Sequence, residues 1–146
     1  SPESARREIP RGGPTEAEKV ELRSKLLSQR SELGRSSKDL ADEALKSSGQ
    51  DFKVDHMADF GSDNFEQEIS LSLLEEETEL LHEIDTAIRK IDGQEELPYG
   101  LCEECHASGW EDEERGPWIP TGRLDFVPYV RLCVQHQEQQ EGDAAQ

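Results

Sequence analysis

Cys102-Glu103-Glu104-Cys105 and, twenty-seven residues further on, Cys133-Val134-Gln135-His136 are the stretches of this sequence best equipped for chemistry. Two ligands separated by two residues can be aimed at one ion by a single tight turn, and two such pairs complete a tetrahedron. Cys102, Cys105, Cys133 and His136 are therefore expected to hold zinc. Three cysteines, an odd number, fit a disulfide framework badly. Cys102-x-x-Cys105-His106 also matches the c-type haem attachment motif. That reading leaves Cys133 and His136 without a role, and the single methionine, Met57, stands far away in the sequence. A redox pair or an iron–sulfur site are further alternatives, and His106 competes with His136 as fourth ligand. No Gly-rich phosphate loop, nucleophile elbow or His-Glu-x-x-His is present. Four protein ligands would also close the metal shell to water, so no enzyme is expected.

Long helices must carry this cluster. Thr15-Glu16-Ala17-Glu18 has capping-box spacing, with Pro14 blocking extension backwards. Leu26, Leu33 and Leu40 recur every seven residues, Gly34 is a soft spot, and Ser47-Ser48-Gly49 is the expected stop. The second helix is expected from Asp63, where Asp63-Asn64-Phe65-Glu66 repeats the capping-box spacing, to Asp92 before Gly93. Leu73, Leu80 and Ala87 keep a strict sevenfold spacing, and Leu74, Leu81 and Ile88 repeat it one residue on. Narrow stripes of this kind want another helix. At 1.5 Å per residue each helix would span about 45 Å. The expected fold is all-α: an antiparallel coiled-coil hairpin over residues 15–95 with its acidic tip near 49–63. A zinc-finger globule follows over 96–137, with a disordered leader over 1–14 and a flexible acidic tail over 138–146.

Charge narrows the partners. The net charge is −18, with 32% hydrophobic and 5% aromatic residues, which is poor material for a large globular core. Such an acidic chain is unsuited to gripping phosphate backbones and favours a basic protein surface. Between Val54 and Ile88 there are eleven acids and no Lys or Arg. Like charges at i, i+3 and i+4 cost a few tenths of a kcal/mol per pair, so stability alone does not explain the run. No apolar stretch approaches the roughly 20 residues that span a bilayer, and residues 1–14 lack an apolar signal segment. A cytoplasmic monomer is expected.

Several blocks resemble the DksA/TraR family of bacterial transcription regulators. They are His56-Met57-Ala58-Asp59, Ser62-Asp63-Asn64-Phe65-Glu66-Gln67-Glu68, Tyr99-Gly100-Leu101-Cys102-Glu103-Glu104-Cys105, Ile119-Pro120, Arg123-Leu124, Pro128-Tyr129 and Arg131-Leu132-Cys133. The resemblance covers about residues 57–137. It implies a coiled-coil hairpin on a small zinc finger that binds RNA polymerase and inserts an acidic tip into the secondary channel. On that basis Asp59 and Asp63 are the tip residues directed at the polymerase active centre. The chain departs from the family pattern in placing His136 where Cys is usual, in an inserted stretch at Ala107–Trp118, and in the register of its tip acids. The inserted stretch reads as a tolerated surface loop. The alternative function is a zinc-stapled adaptor for another basic protein.

Overall fold

Thr15 opens the first helix through the exchange its spacing predicts. The Glu18 N–H donates to Thr15 Oγ1 at 3.2 Å, and the Thr15 N–H donates to Glu18 Oε1 at 3.1 Å. Two donors that a helix start leaves orphaned are thereby satisfied. The structure, a computed structural model of the 146-residue chain, describes residues 8–50 and 60–145. Five helices lie among the described residues: α1 (Glu16–Gln50), α2 (Phe60–Ile91), α3 (Glu103–Ser108), α4 (Thr121–Phe126) and α5 (Val134–Ala145). Among the described residues there is no strand, only an isolated antiparallel bridge between Leu101 and Trp118. No helix among them is long and apolar enough to cross a membrane.

The chain divides into two compact units, residues 28–83 and residues 1–27 with 84–146. In the first, Ser36 and Ser37 on α1 meet Glu77 on α2, their hydroxyls donating to its carboxylate at 2.8 and 3.1 Å. In the second, Arg23 on α1 grips Asp92 just beyond α2 with two hydrogen bonds of 2.9 and 3.1 Å. In each unit, then, a polar contact ties α1 to α2 or to the residue that follows it. Leu22 and Leu26 are buried with Ile84, Ala87 and Ile88 in the unit that also holds the cysteines. In the first unit Leu74, Glu77, Leu80 and Leu81 are half-buried and Leu73 is exposed; in the second Ile84, Ala87 and Ile88 are buried. Both sevenfold stripes of the sequence end buried, at Ala87 and at Ile88.

Four expectations are corrected. Ser47-Ser48-Gly49 does not stop α1, which continues to Gln50. Asp63 is not an N-cap, because α2 begins at Phe60 and Asp63 lies within it. Residues 138–145 are not a flexible tail but the continuation of α5. Once Cys133 has started that helix, Gln and Glu propagate it readily. Pro10–Pro14 pack on the globule around Trp118 instead of standing off as a leader. Residues 51–59 of the expected tip, Asp59 among them, and residues 1–7 lie outside the described residues.

Candidate metal centre

Each half of the cysteine cluster is the start of a helix. Cys102 is the N-cap of α3, with extended backbone angles (φ −76°, ψ 114°), and its sulfur accepts the Cys105 N–H at 3.4 Å. Cys133 precedes α5 in the same way, its carbonyl accepting the Gln137 N–H at 2.9 Å. A cap side chain faces the third residue of its helix, as the capping box exploits, so each x–x spacing aims two ligands at one point. The Cys133 N–H donates to Cys102 Sγ at 3.2 Å and ties the two knuckles together.

Cys102, Cys105, Cys133 and His136 bring their ligand atoms within 4.8 Å of one another. The Nδ1 of His136 lies 3.5, 3.3 and 3.2 Å from the sulfurs of Cys102, Cys105 and Cys133. Cys105 and Cys133 sulfurs are 3.9 Å apart. With Zn–S of about 2.3 Å and Zn–N of about 2.0 Å, tetrahedral coordination requires S···S edges of about 3.8 Å and S···N edges of about 3.5 Å. The edges fit zinc with slight contraction on the His136 side. His106 is buried but is not one of the four. Burial, together with the neighbouring Cys102 and Cys133, pushes the Cys105 thiol well above its ordinary value. Burial alone would also raise Cys133. The His136 N–H and the sulfurs of Cys102 and Cys105 outweigh it and hold Cys133 down at about 7.

The support around the cluster is less visible in the sequence. Lys90, at the end of α2, donates to Glu103 Oε1 at 3.0 Å, and Arg131 approaches Glu103 Oε2 at 3.6 Å. Glu103 therefore links α2 to residues flanking both knuckles. Tyr99, Leu101, Ile119 and Leu124 are buried as the globule's small core, and the Tyr99 hydroxyl donates to the Pro128 carbonyl at 2.8 Å. Gly100 stands at φ +90°, where a Cβ would meet the Pro14 ring at 2.6 Å; this position needs glycine. The surface-loop reading of residues 107–118 fails at its end. Trp118 pairs with Leu101, and Cys102 donates its N–H to the Pro117 carbonyl at 2.8 Å.

No protein-family model matches the chain. It is 35% identical over 89 residues to general stress protein 16O of Bacillus subtilis, 60% of this chain and 46% of that protein. An uncharacterised protein of Aquifex aeolicus is 33% identical over 86 residues, 59% of this chain and 50% of that one. The chain thus spans about half the length of these curated relatives. The solved structure of transcription factor DksA2 from Pseudomonas aeruginosa superposes with a TM-score of 0.63. Its sequence is 28% identical, and the match covers 89% of this chain and 88% of that one. The chain is DksA-like. Its helical fold and its Cys3His metal-binding group fit the zinc finger of the DksA/TraR family that the sequence resembles. In this DksA-like chain Tyr99, Gly100 and Leu101 are buried beside the first knuckle.

Proposed function

We propose that this protein is a cytoplasmic, zinc-stapled regulator that binds RNA polymerase directly and acts on it without catalysis. The observation that carries the reading is the likeness to a DksA transcription factor across 89% of the chain. In this reading Cys102, Cys105, Cys133 and His136 hold zinc, which supplies no reaction of its own. It locks the two knuckles that the short core alone would leave marginal. The partner is the core enzyme, and the chain acts as a monomer. Asp59 and Asp63 belong to the tip that enters the secondary channel. The acid-rich stretch from Val54 to Ile88 supports this, since a channel that admits nucleotides offers cations and a metal site to carboxylates.

The test is binding to purified core RNA polymerase, followed by transcription in vitro. Wild-type protein is expected to bind and to change transcript yield. Asp63→Asn is expected to keep its helicity, zinc and binding while losing the effect. A full effect from Asp63→Asn removes that residue from the mechanism. Recovery of some other basic protein in place of polymerase in a salt-sensitive pull-down favours the adaptor reading.

A further inference from the structure

Trp118 stands between two parts of the chain that no sequence pattern connects. On one side its backbone pairs with Leu101, and the flanking hydrogen bonds run from Cys102 N–H to Pro117 O and from Ile119 N–H to Gly100 O, both 2.8 Å. On the other side the indole carries the segment that leads into α1. Its Nε1–H donates to the Pro10 carbonyl at 3.1 Å. Gly12 and Gly13 lie so close that an added Cβ would stand 2.7 and 2.6 Å from the ring. Gly13 has φ +83°, so a side chain there is strained as well as crowded. Pro14, the last residue of the segment before the Thr15 cap, is buried and meets Gly100. Residues 10–14 therefore lie across the indole, and the same stretch of backbone that holds the indole carries the first metal ligand.

We propose that residues 10–14 form a latch that seats on Trp118 only while the Cys102–Cys105 knuckle is held by metal. The Pro-Arg-Gly-Gly-Pro segment is the occupant and the indole is its docking surface. Losing the metal frees the Leu101–Cys102 backbone, hence Trp118, hence the segment before α1. Thermodynamic linkage makes the coupling reciprocal: a latch that prefers the loaded globule must tighten metal binding by the factor by which metal tightens the latch. The proposal rests on the zinc reading of the cluster.

Four measurements on the full chain test it. Zinc content is determined by elemental analysis, and trypsin cleavage after Arg11, an exposed residue within the segment, is followed by mass spectrometry. In the wild type this cut is expected to be slow with zinc and at least about tenfold faster once a chelator has removed it. In Gly13→Ala the cut is expected to be fast even with one zinc bound, while cleavage after Arg115, Arg123 and Arg131 stays slow. Gly13→Ala is also expected to yield zinc to a competing chromophoric chelator with an affinity at least about fivefold weaker than wild type. In a Trp110→Phe background, Trp118 emission is expected to shift to the red on chelation and in Gly13→Ala. Trp118→Phe, which keeps an aromatic ring but loses the donor, gives a second, milder opening and guards against misfolding of the glycine variant. An absence of bound zinc would sink the latch and the zinc reading together. Bound zinc with unchanged cleavage in stripped protein, or with unchanged zinc affinity in Gly13→Ala, sinks the latch alone.

Discussion

His136 brings a neutral nitrogen to a position where a fourth thiolate would add negative charge to an ion already facing three sulfurs. Its Nδ1 lies 3.2–3.5 Å from all three, so the imidazole is placed to complete the shell rather than to buffer it. His136→Ala is expected to weaken zinc binding by more than about 100-fold, since even changes outside the ligand shell cost about 10–100-fold. His136→Cys should retain metal; chelator competition distinguishes the two. Tyr99 offers a second test at this scale. Burial, with the Asp125 charge nearby, raises its phenol well above the ordinary value, and the neutral hydroxyl donates to Pro128. A raised folded value means that the contribution is fully present below about pH 10 and is lost as pH rises beyond it. The melting temperature of wild type should therefore fall faster above pH 10 than that of Tyr99→Phe. The convergence of Cys102, Cys105, Cys133 and His136 was legible because the geometry behind it is local, a cap and the third residue of its helix. Trp118 and Glu103 were not, because their meaning lies in contacts with Pro10 and Lys90 that no periodicity announces.

Helices α1 and α2 show which parts of a heptad pattern carry energy. Leu26 and Ile84 are fully buried, whereas Leu73, in sevenfold register with Leu80 and Ala87, is 44% exposed. Leu26→Ala is expected to cost about 2–5 kcal/mol in chemical denaturation and Leu73→Ala less than about 1 kcal/mol. Glu77 reads in the sequence as one more acid of a charged face. In the structure it is half-buried and accepts from Ser36 and Ser37. A polar layer in a helix pair stabilises less than leucine but discriminates between registers. Gly34 lies within α1, and a Cβ there meets nothing within 4 Å. Gly34→Ala should therefore stabilise the fold by about 1 kcal/mol through lower chain entropy. The existence and pairing of both helices followed from apolar spacing. Two of their four ends were legible as well, the Thr15 cap and the stop before Gly93, whereas Ser47-Ser48-Gly49 and Asp63 are permissive signals that a helix can run through. The acidic composition of residues 138–145 concealed a helix whose start is decided by Cys133.

Charge is the property that belongs to the whole molecule. Residues 28–83 hold fifteen acids against five Lys and Arg, so that unit carries ten of the eighteen net negative charges. The unit with the cysteines spends its cations on named partners, Arg23 on Asp92, Arg89 on Glu95 and Lys90 on Glu103. The Arg23 guanidinium holds the Asp92 carboxyl below its usual range, so this clamp lasts above about pH 4 and is released as pH falls. Uncompensated charge in the other unit acts at a distance instead. If the partner is the basic entrance of RNA polymerase, attraction should accelerate the encounter far more than it slows departure. Between 0.05 and 0.5 M salt the screening length falls from roughly 14 to 4 Å. The association rate measured by stopped-flow is then expected to drop at least about tenfold, with the dissociation rate changing much less. Asp59→Asn with Asp63→Asn removes two charges of eighteen and should leave most of that salt dependence intact while the effect on transcription disappears. A salt slope that collapses in this double variant would mean that the two carboxylates recruit the polymerase rather than act within it.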